Sequence, residues 1–140
     1  MKKIYSKIDP ECLLSVLIKK KDITSERIDL APDIEPLQGS TKKLKKGDKF
    51  NPHTHNYLPR QTHTTQEAWI VIEGEILISL YDLNNKLFFQ ETLNDGDCIL
   101  NFRAGHTFEV TKEDTLLYEF KNGPYMGVRA DKTLIEDEQD

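Results

Sequence analysis

Apolar and polar residues alternate along most of this chain in short runs, broken every ten residues or so by Gly, Asn, Asp or Pro. Alternation with a period of two marks a strand with one buried face, and the 3.6-residue recurrence of an amphipathic helix is missing. The pattern predicts strands over 65–73, 75–81, 86–93, 98–102, 106–111 and 115–120. Turns fall at Gly74, 82–85, 94–97, 103–105 and 112–114, and the Asn122-Gly123-Pro124 stretch ends the last strand. Upstream, 4–8 reads as a short strand stopped by Asp9-Pro10, and the run CLLSVLI at 12–18 reads as a strand on grounds of length. Residues 22–36 carry Pro32 and Pro36 and read as irregular or edge-like. Residues 37–50 read as strand material interrupted by Gly47-Asp48. Strand–turn units at this spacing mean an all-β, antiparallel sandwich or barrel. Residues 37–130 would form its body, 1–36 an arm or peripheral strands of the same domain, and 131–140 an acidic tail.

Composition changes this picture little. With 140 residues the chain is long enough for one domain with a real core. Nineteen basic against 24 acidic residues give a net charge of −5, which argues against a nucleic-acid partner. Lys42, Lys43, Lys45 and Lys46 form a short basic cluster that reads as the solvated side of a strand. Cys12 and Cys98 are far apart and read as small buried apolar residues. The apolar run at 13–18 is too short for a signal-peptide core or a membrane span, so the expected location is cytoplasmic.

The candidate chemistry lies in two places. His53, His55 and His63 precede the carboxylate Glu67, and His106 follows the turn glycine Gly105. Imidazoles and a carboxylate gathered at strand ends suit a borderline divalent metal. In an extended chain His53 and His55 share one face, and His106 shares its face with Phe108 and Val110, which points the imidazole inward.

The spacing Gly47-x5-His53-Thr54-His55, then Glu67-x6-Gly74, then Gly96 with His106 further on, resembles the two motifs of the cupin superfamily. The resemblance covers about residues 37–120 and departs from the family pattern in four places. Eleven residues separate His55 from Glu67. Gln61-Thr62-His63-x3-Glu67 offers a second register. Phe102-Arg103 stands where a Pro is usual, and Val110 where an Asn is usual. The resemblance implies a double-stranded β-helix, or jelly-roll barrel, holding one divalent ion (Fe, Zn, Mn or Ni) on His53, His55, Glu67 and His106. In that arrangement loop 56–64 lies at the mouth; the second register brings in His63 instead.

The stretch Tyr118 to Tyr125, followed by Asp131-Lys132, resembles the end of small cupins encoded among bacterial surface-polysaccharide genes. It implies a saccharide or nucleotide-sugar ligand in polysaccharide biosynthesis. Tyr118 and Glu119 are then the acid–base candidates, and Arg60, Gln66, Trp69 and Tyr125 the ligand-binding candidates. Arg60 and Arg103 also read as solvated loop arginines, and Trp69 as core packing. Two further readings are a metal-free sugar-nucleotide isomerase using histidines as acid–base groups, and a non-catalytic small-ligand module. The expected assembly is a homodimer, its N-terminal segment covering or exchanging sheet edges.

Overall fold

The alternating runs become ten antiparallel strands in a computed structural model that describes residues 1–136. They are β1 Lys2–Tyr5, β2 Leu13–Ile18, β3 Arg27–Asp29, β4 Ser40–Lys42, β5 Glu67–Glu73, β6 Glu75–Tyr81, β7 Leu87–Asn94, β8 Cys98–Asn101, β9 Gly105–Val110 and β10 Leu116–Lys121. A single 3-10 turn spans Lys20–Asp22, and one short helix, α1, spans Val128–Asp131. A five-stranded sheet has the order β1-β2-β8-β5-β10, and a three-stranded sheet the order β7-β6-β9. Among the described residues no helix is long and apolar enough to cross a membrane.

The two sheets share one core. Leu14, Leu17, Trp69, Val71 and Ile99 from the larger sheet meet Ile76, Ile78, Leu80 and Leu93 from the smaller one, and all are at most 2% exposed. The joint between the sheets is Gly74, where β5 passes into β6 with φ +97°. A Cβ there would lie 2.7 Å from the backbone Cα of Thr115, so only glycine fits both the left-handed turn and the close approach.

The larger sheet is also buried on its other face. Val16, Ile18, Ala68, Leu100 and Phe102 pack there against Leu30 and Ala31, with Ile23, Ile28 and Leu37 around them. The cover is the stretch 19–42, which contains the β3–β4 hairpin. The stretch 22–36, expected to be irregular or edge-like, is both: three residues, Arg27–Asp29, form an edge strand that pairs only with β4 at Ser40–Lys42, and the rest forms no strand. A buried cluster links the cover to the sheet. The Glu35 carboxylate accepts two bonds from the Arg103 guanidinium, at 2.7 and 3.1 Å, and one from the Gln66 amide at 2.6 Å. The Gln66 side-chain oxygen in turn accepts the Leu37 N–H at 2.9 Å.

The strand expected over 37–50 shrinks to β4. From residue 43 to residue 66 the chain forms no strand or helix, and residues 42–64 are exposed throughout. Two prolines, a glycine turn and few apolar residues leave this stretch nothing to alternate.

Candidate functional site

Strand register builds a polar row across the inner face of the larger sheet. Ser15 on β2 lies opposite Asn101 on β8, Asn101 opposite Glu67 on β5, and Glu67 opposite Lys121 on β10. One step further along, the row reads Leu17, Ile99, Trp69 and Glu119. The polar row therefore sits at the edge of the apolar core, and Glu119 extends it along β10. His106 reaches the row from the smaller sheet, where it lies opposite Leu80.

These side chains touch. His106 Nε2 lies 3.0 Å from Glu67 Oε2, and Lys121 Nζ lies 3.5 Å from Glu67 Oε1. Lys121 also pairs with Glu119 at 3.1 Å, and the Trp69 indole N–H donates to the other oxygen of Glu119 at 3.2 Å. The Trp69 ring packs edge-on to His106 at 4.8 Å and to Phe108 at 6.0 Å between centroids. Glu67, Trp69, His106, Phe108 and Glu119 line a cavity of about 770 Å³, within the usual range for small-molecule sites.

The opposite wall is the chain's own C-terminal stretch, where residues 131–135 border the cavity. Asp131 bonds the Thr65 hydroxyl through one oxygen, and its other oxygen is buried with no hydrogen-bond partner among the described residues. Ile135 packs against Gly105, where an added Cβ would displace the tip of the Ile135 side chain. Glu136 is exposed, and residues 137–140 of the expected acidic tail lie outside the described residues.

The Glu67 carboxyl is held below its ordinary pKa, chiefly by the His106 hydrogen bond, with further help from the charges of Lys121 and Lys132 and against the cost of burial. A carboxyl depressed in the fold adds stability above its unfolded pKa and loses it as pH falls through the folded value. Glu67→Gln is therefore expected to flatten the acid limb of the stability–pH profile, below the normal carboxylate range, and to leave the alkaline limb unchanged. Urea unfolding at a series of pH values reads this out. An unaltered acid limb would mean that the Glu67–His106 bond contributes nothing to the fold.

Of the sequence-predicted residues, the fold brings together Glu67, His106, Trp69 and Glu119. The two acid–base candidates on β10, Tyr118 and Glu119, point to opposite faces of the sheet. Glu119 lines the cavity, whereas Tyr118 faces outward, 58% exposed and stacked near Phe120. Gln66 is buried in the Glu35 cluster and does not line the cavity. Trp69 is 1% exposed and acts through its hydrogen bond to Glu119, not as an open stacking platform. Tyr125 is exposed beneath the Lys121 ammonium, 5.5 Å from the ring centroid. Arg60 lies on the exposed stretch 42–64. Arg103 is a loop arginine with a 39% exposed side chain, and its guanidinium is paired with Glu35.

His53 and His55 lie on the same exposed stretch. Their rings are 5.3 Å apart, with His53 Nδ1 2.8 Å from the Asn51 carbonyl oxygen. Neither they nor His63 line the cavity that holds Glu67 and His106. Among the described residues no three His, Cys, Asp or Glu side chains are grouped to hold a metal ion. At the cavity His106 and Lys121 are both paired with Glu67, Lys121 also with Glu119, and Asp131 is bonded to Thr65, so the carboxylates there are engaged by protein donors and are not gathered around one point as a divalent ion's ligands would be.

Two residues of the site carry no motif. Lys121 was legible only as the inward partner of Glu119 two residues away. Asn101 stood at the end of a strand next to a turn, where asparagine usually serves the turn. Comparison with family models, with curated proteins and with solved structures finds no match to this chain.

Proposed function

We propose that this protein binds a small hydroxylated molecule, a saccharide being the fitting class, in the cavity between its two sheets, and does so without a metal ion. The observation that carries the reading is the row Glu67, His106 and Glu119 along one wall of a cavity of about 770 Å³, tied together by Lys121. Donors and acceptors alternate along that wall, which suits hydroxyl groups that both donate and accept. Phe108 and Trp69 give the cavity apolar backing. Two antiparallel sheets around one core, with the polar site at one end, support a cupin-like jelly roll as the architecture.

Trp69 is the sole tryptophan and borders the cavity, so its fluorescence reports occupancy. Titration with a panel of monosaccharides and nucleotide sugars is expected to change that emission saturably for at least one member. Glu119→Gln is expected to weaken that ligand by roughly tenfold, the loss of one charge-assisted hydrogen bond. Chelator-treated protein is expected to bind as the untreated protein does. Binding that disappears on chelation and returns with a divalent ion would overturn the metal-independent reading.

A further inference from the structure

We infer that Asn101 fixes His106 in the neutral tautomer that carries its proton on Nε2, so that the ring donates to Glu67 and presents no open lone pair to the cavity. This deepens the reading of the cavity as a metal-independent binding site, and depends on that reading only for its consequence. The observation itself is one of hydrogen-bond valence among buried groups.

The orientation of the Asn101 amide is set by its oxygen. The Ala104 backbone N–H, which can only donate, meets Oδ1 at 3.1 Å, and the Ser15 hydroxyl donates to the same atom at 2.7 Å. A flipped amide would set its NH2 group against the Ala104 N–H, donor against donor, and its oxygen against the Ala104 carbonyl, so the Ala104 backbone fixes the orientation whichever way the Ser15 hydroxyl turns. Nδ2 therefore carries the two amide protons. One goes to the Ala104 carbonyl at 2.8 Å, and the other to His106 Nδ1 at 2.8 Å. An amide nitrogen has no lone pair to give, so Nδ1 is the acceptor of that bond.

A neutral imidazole that accepts at Nδ1 carries its proton on Nε2, and Nε2 is the atom 3.0 Å from Glu67 Oε2. The Ala104 carbonyl lies 3.2 Å from Nδ1 and would be the acceptor of a proton placed there. A proton there would face the Asn101 amide protons across 2.8 Å, donor against donor, and that contact excludes it.

The bonds run in one direction, from the Ser15 hydroxyl through the Asn101 amide and the His106 ring to the Glu67 carboxylate. Asn101 is 4% exposed and paired on both sides, so it cannot turn its amide toward the cavity without breaking the chain. A histidine that ligates a cation through Nε2 needs the opposite arrangement, with its proton on Nδ1 and an acceptor facing it. Asn101 is thus a positioning residue that turns His106 into a donor.

The test is a long-range proton–nitrogen correlation spectrum of the imidazole rings in the uniformly labelled full chain, recorded above the ordinary imidazole titration range. His106 is assigned by the signals lost in His106→Gln. The wild type is expected to show the Nε2–H pattern for His106; an Nδ1–H pattern, or an even mixture, overturns the inference. Adding one equivalent of Zn²⁺ is expected to leave that pattern in place, and conversion to Nδ1–H would overturn it. Asn101→Asp puts an acceptor where the donor stood and is expected to move the proton to Nδ1 with the remaining histidine signals unchanged. Retention of the Nε2–H pattern in that folded variant would show that Asn101 does not set the tautomer. Should the aspartate variant fail to fold, Asn101→Ala is expected to give a mixture, and a pure Nε2–H pattern there overturns the role equally. The wild-type spectrum decides the tautomer whether or not either variant folds. None of these readouts requires the ligand, so a failed Trp69 titration and a failed tautomer assignment are separate results.

Discussion

Phe102→Ala is expected to cost about 3–5 kcal/mol, the range for truncating a fully buried aromatic side chain. Phe102 is 0% exposed and lies in the outer cluster between Val16, Leu100 and Ala68 on the sheet and Leu30 and Ala31 on the cover. Its backbone N–H donates to the Leu14 carbonyl at 2.8 Å, so the main chain is held and cannot follow the shortened side chain into the void. The loss combines the transfer energy of the ring with an unfilled cavity. For a domain whose whole stability is of order 5–15 kcal/mol this is a large fraction. Urea unfolding is expected to show a lower midpoint at unchanged slope, and Phe102→Leu is expected to recover most of the loss. A cost under about 1 kcal/mol for the alanine variant would mean that the cover does not press on the sheet at this point.

Arg103→Met is expected to cost about 3 kcal/mol, at the lower end for breaking a buried ion pair because the arginine is itself partly exposed. The asymmetry of the pair is what decides this. The Glu35 side chain is 4% exposed and the Arg103 side chain 39% exposed. Methionine preserves much of the volume and removes both bonds to Glu35, leaving a buried carboxylate with only the Gln66 amide against it. On a chain of this length the change corresponds to roughly 10 °C in melting temperature. Adding Glu35→Gln to Arg103→Met is expected to restore part of the stability, because the stranded charge is then gone. If the double variant is no more stable than the single one, the loss comes from packing of the arginine stem and not from the charge.

The strands from β5 to β10 were legible because each has one face in the shared core and alternates accordingly. Trp69, Val71, Ile76, Ile78, Leu80 and Ile99 are all buried where alternation put them. His106 inward, beside Phe108, followed from the same rule. Val110 ends its strand 53% exposed, where the core no longer reaches. The outer cover was not legible. Ile23, Ile28, Leu30, Ala31 and Leu37 recur with neither a period of 2 nor one of 3.6, since a hairpin with long flanks touches the sheet at irregular intervals.

Polar partners were the hardest to read. Glu35 sits between two prolines in a stretch that looks solvated, and nothing local to it says that Arg103 and Gln66 will bury it. Ser15, Asn101, Glu67 and Lys121 meet only because four strands pair in one register, and that register is a property of the whole sheet.

Burial of the larger sheet on both faces has a dynamic consequence. The amides of β2, β8 and the first half of β5 lie between two packed clusters, so they can exchange with solvent only after the cover has come away and the sheet has opened. They should form the slowest-exchanging set in the molecule, with the amides of Val16, Ala68 and Leu100 the last to be replaced by deuterium. The cover, held by the Glu35 cluster and one apolar contact surface, should open first as a unit of its own. Gln66 belongs to that cluster and precedes Glu67 directly in the chain. Release of the cover would therefore loosen the first residue of β5, and with it the cavity wall.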